Sequence, residues 1–161
     1  MLGMSAHALD CLAEVKRPHA DPFPYFLLKG YALRDLQQYP AALQAFEVAY
    51  TANPDHVGLL LGMGWCYKRT GQLPRAITML ELAQRVDPDD AVVAYNLACY
   101  WSLAGDKPKC LTSLAKALQL DGQFRESIAA ESDFDPVRED PDFLRLLRIF
   151  DTEQELARKK G

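Results

Sequence analysis

Four cysteines and three histidines are the residues of this sequence best suited to metal or redox chemistry. The cysteines, Cys11, Cys66, Cys99 and Cys110, form no CxxC pair, the spacing that usually marks a structural zinc site. Cys66, Cys99 and Cys110 lie where apolar residues recur at helical spacing. We therefore predict reduced, buried, core-filling thiols in a cytosolic protein, with a regulatory disulfide or a metal site as the alternatives.

An acidic stretch near the C-terminal end offers carboxylates for calcium binding or acid–base chemistry. Its members are Asp133, Asp135, Glu139, Asp140 and Asp142. They lack the alternating ligand spacing and the loop glycine of an EF-hand. A solvated linker that supplies helix N-caps is the preferred interpretation. Glu131 and Asp133 form a candidate acid–base pair, but most acidic loops contain one.

Motifs for phosphate binding and nucleophilic catalysis are missing from the sequence. It contains no GxSxG, no HExxH and no glycine-rich dinucleotide turn. Gly58, Gly62 and Gly64 lie within a predicted helix that no strand precedes, so close helix packing explains them better than phosphate binding. We predict that the chain is not an enzyme, with no catalytic residues, no metal site and no cofactor.

Composition and charge narrow the partners further. The 161 residues are 49% hydrophobic and 25% charged, with a net charge of −4 and a pI of about 5.3. Binding to nucleic acid or to an anionic membrane usually requires a basic surface. A chain with a net negative charge is not expected to have one. Asp10 and Glu14 interrupt the apolar core that a secretory signal needs. We predict a cytoplasmic protein that binds neither nucleic acid nor membrane.

Prolines and small residues repeat at an interval of 34 residues. Pro40, Pro74 and Pro108 form one series, and Pro54 and Pro88 form a second. Residues in phase with them are Gly30, Gly64 and Ala98; Ala42, Ala76 and Cys110; Phe46, Leu80 and Leu114. A fixed period of this length is the signature of a helical repeat array.

The same residues predict helical hairpins on physical grounds. Proline suits the first turn of a helix, where its missing N–H leaves no bond unmade. The residue before a proline is pushed out of the helical region, so we expect Asn53 and Asp87 to end helices. Gly71 and Gly105 fall within the predicted hairpin turns, where a positive φ is useful. One hairpin cannot bury its own apolar face, and about three stacked hairpins are needed for stability.

This pattern resembles the tetratricopeptide repeat family, whose unit of 34 residues folds as two antiparallel helices. The middle unit carries the resemblance best, at Leu60, Gly64, Tyr67, Gly71, Ala76, Leu80, Ala83 and Pro88. The first unit departs at Leu33 and Gln37, and the third at Ala98 and Gly122. The resemblance implies an all-α fold, an α-α superhelix (tetratricopeptide solenoid) of three helical hairpins with flanking capping helices.

We predict a single domain over residues 1–161. Its segments are an N-terminal capping helix and linker (1–22), repeats at 23–56, 57–90 and 91–124, and C-terminal capping helices (125–161). Near the end we predict a short helix over 123–131 and a terminal helix over 141–158, capped by Asp140. Its predicted apolar face consists of Phe143, Leu144, Leu147 and Phe150.

The C-terminal stretch DFDPVREDPDFLRLL also resembles the end-of-group segment that closes many bacterial tetratricopeptide arrays. A bacterial origin is what this resemblance implies. In that family the first helix of each hairpin lines a concave face. The implied peptide-binding groove consists of Leu27, Tyr31, Arg34, Leu61, Gly62, Trp65, Lys68, Arg69, Tyr95, Asn96 and Cys99, with Leu28, Gly58 and Ser102 beside them.

The predicted groove is aromatic and aliphatic with a basic edge. Gly58 and Gly62 are expected to leave pockets beside Trp65. The alternative is that Tyr31, Trp65 and Tyr95 are buried by a neighbouring helix or by the C-terminal segment, because aromatic residues at helical spacing usually belong to a core.

The function that the resemblance implies is a protein–protein interaction scaffold or adaptor. We expect it to bind another protein through an extended peptide or an amphipathic helix with apolar anchors, and an acidic residue there would suit Arg34, Lys68 and Arg69. One alternative is a dedicated chaperone similar to the class II chaperones of type III secretion. Another is a structural array that self-assembles into a homo-oligomer through its end faces.

Overall fold

The computed structural model describes residues 2–13 and 21–159. In these residues the backbone forms α-helices and a 3₁₀ helix, and no strand, which confirms the predicted all-α fold. The α-helices are α1 (Leu2–Ala13), α2 (Phe23–Asp35), α3 (Tyr39–Ala52), α4 (Val57–Arg69), α5 (Leu73–Val86), α6 (Ala91–Leu103), α7 (Lys107–Leu120), α8 (Phe124–Ser127) and α9 (Pro141–Arg158). The 3₁₀ helix spans Ser132–Val137.

The chain divides into two compact units, Met1–Pro88 and Asp89–Gly161. The prediction of one domain over 1–161 stays a prediction. Residues 14–20, which belong to the predicted N-terminal capping helix and linker, lie outside the described residues. Among the described helices, none is both long enough and apolar enough to cross a bilayer.

In the first unit, α2 pairs with α3 and α4 pairs with α5. The two pairs meet where α3 packs on α4, α2 also contacts α4, and α1 packs on α2. Completely buried side chains at these contacts include Ala42, Phe46, Leu59, Leu60 and Leu80. These residues form the core that the 34-residue period predicts.

Prolines and cap residues set the helix boundaries as the sequence predicts. Pro40, Pro74 and Pro108 occupy the first turns of α3, α5 and α7. Asn53 and Asp87 are the C-caps of α3 and α5. The side chain of His56 caps the N-terminus of α4, and the side chain of Asp90 caps that of α6.

The turns inside the hairpins share one backbone conformation. Gly71 and Gly105 have φ angles of +74° and +77°, and Gln37 has a φ of +61° at the equivalent place. In the first turn the N–H of Gln38 donates to the carbonyl of Leu33 at 2.9 Å, which holds the turn without glycine. A non-glycine residue in this region costs roughly 1–2 kcal/mol.

In the second unit, α6 pairs with α7, the 3₁₀ helix packs on α6, and α9 contacts α7. Lys107 bridges the carboxylates of Asp140 and Asp142, each at 3.0 Å. Arg125 donates two hydrogen bonds to the carboxylate of Asp151, at 2.9 and 2.8 Å. These ion pairs join Lys107 of α7 and Arg125 of α8 to the N-cap and the side chains of α9, which is the predicted terminal helix.

The segment between α7 and α9 differs from its prediction. The helix predicted over 123–131 is only α8, and a 3₁₀ helix follows it. The guanidinium of Arg138 donates to the carbonyls of Ile128, Ala129 and Glu131, at 3.3, 3.1 and 2.7 Å. These bonds satisfy the carbonyls in a compact turn, so the helix need not continue.

Two further corrections concern single side chains. Asp133 is only 8% exposed, so the interpretation of this acidic stretch as a solvated linker is wrong there. It is buried because the 3₁₀ helix that carries it packs on α6. Leu144 is 40% exposed, although Phe143, Leu147 and Phe150 are buried as predicted.

Close helix approach in the first unit occurs at the recurring glycines. A Cβ built on Gly30 would clash with the ring of Phe46 in α3. At the equivalent Gly64, a Cβ would meet the Ala76 carbonyl and the Leu80 side chain at 3.4 Å, an ordinary contact. The two glycines therefore serve different purposes although they occupy the same place in the repeat.

We expect Gly30→Ala to lower the free energy of unfolding by about 1–3 kcal/mol, because the added methyl group overpacks the Phe46 ring. Gly64→Ala is the matched control. Its change should be at most about 1 kcal/mol and can be stabilising, since alanine favours a helix over glycine. Urea unfolding followed by circular dichroism measures both. Equal destabilisation of the two variants would contradict this account of the helix contact.

The thiols follow the sequence prediction of burial. Cys66, Cys99 and Cys110 are buried, and Cys11 is exposed. Burial raises the pKa of the Cys66 thiol to about 11, with the charge of Arg34 opposing the rise. Burial, together with the charge of Asp106, raises the pKa of the Cys110 thiol to about 12. Buried thiols that stay protonated react slowly, because the thiolate is the nucleophile.

At pH 8 we expect Ellman's reagent to modify about one thiol per native chain rapidly, namely Cys11, since exposure and thiolate fraction govern the rate. All four cysteines should react in denaturant. Cys11→Ser should remove the rapid phase and leave the slow one. Rapid modification of a second thiol in the native Cys11→Ser variant would contradict the burial of the other three.

Candidate functional site

In the first unit, three residues predicted for the groove line one cavity. Arg34 from α2 and Trp65 and Arg69 from α4 border a cavity of about 400 Å³. Its remaining lining residues are Asp35, Gln37 and Tyr39, at the turn between α2 and α3. Because α2 contacts α4, Arg34 lies at the same cavity as Trp65 and Arg69.

Trp65 presents an open aromatic face at this cavity. Its side chain is 40% exposed. The guanidinium carbon of Arg69, one helical turn later, lies 5.1 Å from the centroid of the Trp65 ring system. A cation–π contact of this kind at an exposed place contributes about 0.5–1 kcal/mol. It orients both side chains before any ligand arrives.

Arg34 is held in a comparable way. Its guanidinium lies 5.0 Å from the Tyr31 ring centroid and donates to the Asp35 carboxylate at 2.8 Å. Burial raises the pKa of the Tyr31 hydroxyl, and the positive charge of Arg34 opposes that rise. The cavity thus has two oriented guanidinium groups and one carboxylate that offsets part of their charge.

The pockets expected at Gly58 and Gly62 are not present. A Cβ on Gly58 would lie 2.8 Å from the Tyr31 hydroxyl oxygen, and one on Gly62 would lie 2.9 Å from the Phe46 ring. Tyr31 packs edge-on against Phe46, with ring centroids 5.4 Å apart. The two rings fill the space that the glycines leave, so Tyr31 is half-buried and belongs mainly to the packing between helices.

The other predicted groove residues of the first unit differ in exposure. Leu27, Leu61 and Lys68 are half-buried, and Gly62 is buried. Leu28 is the more accessible leucine, with 56% of its surface exposed. The accessible apolar surface of α2 and α4 therefore consists mainly of Leu28 and Trp65.

In the second unit, the prediction that α6 lines an open groove is wrong for two of three residues. Tyr95 and Cys99 are only 8% and 2% exposed. The Tyr95 ring stacks on Phe124 at 4.5 Å and meets Phe134 edge-on at 5.7 Å. Asn96 is half-buried, and its amide donates to the Val92 carbonyl at 2.8 Å. The C-terminal segment covers this face, which was the alternative interpretation for Tyr95.

A donor set for a metal ion lies beneath this cover. Ligand atoms of Cys99, Glu131 and Asp133 all lie within 4.8 Å of one another. From the sequence, Glu131 and Asp133 are a candidate acid–base pair, and Cys99 is a separate buried thiol. No spacing motif joins them, because they come from α6 and from the start of the 3₁₀ helix.

Sequence reasoning missed the turn residues of the cavity and the aromatic cover of α6. Asp35, Gln37 and Tyr39 lie at the turn between two helices, where apolar periodicity carries no information. Phe124 and Phe134 lie in the segment where one helix was predicted over 123–131, and where the structure has the shorter α8 followed by a 3₁₀ helix. The aromatic side chains themselves were the available signal, since an isolated phenylalanine in an acidic segment needs a burial partner.

We expect Phe134→Ala to lower the free energy of unfolding by about 3–5 kcal/mol, because it empties a fully buried site against Tyr95 and Phe143. Leu156→Ala in α9 is the control, since Leu156 is 51% exposed and a surface substitution changes stability by at most about 0.5 kcal/mol. Thermal or urea unfolding measures both. If Phe134→Ala lowers the free energy of unfolding no more than Leu156→Ala does, Phe134 is not part of the hydrophobic core.

Comparison with known proteins agrees with this architecture. A family model described as tetratricopeptide repeat matches residues 33–98. No curated protein sequence matches the chain.

Solved structures with the same fold include MamA, at 13% identity and a TM-score of 0.75, with 98% of this chain and 92% of that chain covered. YrrB, a tetratricopeptide repeat protein with an unusual peptide-binding site, is 23% identical with a TM-score of 0.70, covering 80% of this chain and 66% of that one. The type III secretion translocator chaperone SycD of Yersinia enterocolitica is 16% identical with a TM-score of 0.59, covering 85% and 90%. The family match over residues 33–98 and these shared folds show that the chain has the helical-repeat fold of tetratricopeptide proteins.

Proposed function

We propose that this protein is a non-catalytic scaffold or adaptor that binds a segment of another protein on α2 and α4 of its first unit. The observation that carries the proposal is the exposed Trp65, which borders a cavity together with the guanidinium groups of Arg34 and Arg69. Tryptophan, tyrosine and arginine are the residue types that dominate binding hot spots.

The chemistry of the cavity specifies the ligand. A volume of about 400 Å³ accommodates a large side chain, and Trp65 supplies an apolar wall for it. Arg34 and Arg69 favour a carboxylate beside that anchor, because a guanidinium binds carboxylates through paired hydrogen bonds. We therefore propose an acidic peptide segment with an apolar or aromatic anchor. Leu28, which is 56% exposed, offers a second apolar contact on α2.

The comparisons support the class of function. YrrB is described as a tetratricopeptide repeat protein with an unusual peptide-binding site, and SycD as a type III secretion translocator chaperone. A bacterial origin and a cytoplasmic location are part of the proposal. They rest on the resemblance of the C-terminal segment to bacterial end-of-group segments and on the composition of the chain.

A displayed library of random peptides tests the proposal directly. Selection on the full chain should enrich sequences that combine Asp or Glu with a large apolar residue. Fluorescence anisotropy then measures the affinity of an enriched peptide for the variants. We expect Trp65→Ala to weaken binding by about tenfold or more, as hot-spot truncation does. Arg69→Glu should weaken it too, and added salt should weaken it for the wild type.

Val48→Ala is the matched control, since Val48 is 38% exposed but lies on α3. It should leave the affinity unchanged. No Tyr31 variant is used, because a substitution there would disturb the packing against Phe46. Enrichment of basic peptides, or equal affinity for wild type and Trp65→Ala, would refute the proposed surface. Concentration-dependent oligomers that survive Trp65→Ala would favour a self-assembling array instead.

A further inference from the structure

We propose that the second unit binds a transition-metal ion of the zinc class through Cys99, Glu131 and Asp133. This inference is independent of the peptide surface on the first unit. The three ligand atoms lie within 4.8 Å of one another. Cys99 comes from the middle of α6, and the two carboxylates come from the N-cap and the first turn of the 3₁₀ helix that packs on it.

Burial makes this group unlike an ordinary acidic surface cluster. Asp133 is 8% exposed and Cys99 is 2% exposed, and Glu131 is half-buried. Two carboxylates and a thiol that share one site repel one another once they are ionised, and a divalent cation removes that repulsion.

A buried hydroxyl beside the cluster gives independent support. Tyr95 lies one helical turn before Cys99 in α6 and is only 8% exposed. Its hydroxyl oxygen has no hydrogen-bond partner within the described part of the chain. Burial raises the pKa of this hydroxyl, and the charges of Cys99, Glu131 and Asp133 raise it further.

An unmade hydrogen bond of a buried hydroxyl costs about 1–3 kcal/mol. A bound ion would remove this cost by providing a hydrogen-bond acceptor. The Tyr95 hydroxyl would then donate to a coordinating carboxylate or to a metal-bound water. Outer hydrogen bonds of this kind orient ligands in established metal sites.

The donor types select the metal. A thiolate is a soft ligand that favours zinc and its neighbours, whereas calcium and magnesium prefer sites built of oxygen alone. Three protein ligands with water in the fourth position form a common tetrahedral zinc arrangement. Glu131 is already oriented, because it accepts the N–H of Asp133 at 3.1 Å. Coordination requires the Cys99 thiolate, and the thiol proton leaves to the solvent.

Cobalt(II) is the first probe, because a cobalt–thiolate bond gives a charge-transfer absorption band in the near ultraviolet. The background should be Cys11→Ser, since Cys11 Sγ lies 3.8 Å from His7 Nε2 and could bind the probe by itself. In this background we expect one cobalt ion per chain, a charge-transfer band, and loss of the band when Zn²⁺ is added. Zn²⁺ should also raise the unfolding temperature, because it binds only the folded site.

Substitutions within the cluster identify the ligands. Cys99→Ser and Glu131→Gln should weaken Zn²⁺ binding by about tenfold or more, and Cys99→Ser should remove the charge-transfer band. Glu131→Gln keeps an oxygen that can accept the Asp133 N–H, so it tests the charge with the cap preserved. Tyr95→Phe should cause a smaller loss of affinity without removing the band.

Cys110→Ala is the control, because Cys110 is a buried cysteine of the same unit outside the cluster. It should keep both the band and the affinity. Circular dichroism shows which variants remain folded, and Glu131→Gln, at a half-buried residue, decides the question if Cys99→Ser unfolds. No band in the Cys11→Ser background, or Zn²⁺ affinity unchanged in folded Glu131→Gln, would overturn the proposal.

Discussion

Close packing of α2 against α3 places the ring of Phe46 where the side chain of residue 30 would otherwise be, and much of the first unit follows from this contact. Because Gly30 admits the ring, Phe46 is completely buried and Tyr31 packs edge-on against it. Tyr31 in turn fills the space over Gly58 and Gly62 on α4. The aromatic residue best placed for a groove is thereby used for helix packing, and Trp65 is left as the exposed aromatic surface.

The C-terminal segment has the corresponding role in the second unit. Pro136 and the carbonyl contacts of Arg138 favour a compact turn over a continuous helix. That turn places Phe134 in the core against Tyr95 and Phe143. The same geometry covers α6 and brings two carboxylates to a buried cysteine. The same packing thus covers a predicted binding face and brings together the three residues of the proposed metal site.

Charged side chains of this protein orient other groups more than they add stability. Exposed ion pairs such as Lys107 with Asp140 contribute little to stability, because water and salt screen them. The guanidinium groups of Arg34 and Arg69 instead lie over the rings of Tyr31 and Trp65, and both residues line the cavity. Side chains that are already ordered in the free protein favour binding, because less side-chain entropy is lost when a ligand binds.

The hairpins could be predicted from the sequence, because prolines, turn glycines and apolar spacing act locally and repeat every 34 residues. The sequence also predicted the tetratricopeptide repeats, three buried cysteines and the helix Pro141–Arg158. Which of the predicted groove residues are accessible could not be predicted in this way. Exposure of Trp65, Tyr31 or Tyr95 depends on which distant side chain covers each of them, and helical spacing is the same in either case. The cluster of Cys99, Glu131 and Asp133 is likewise a product of tertiary packing, since more than thirty residues separate the cysteine from the carboxylates.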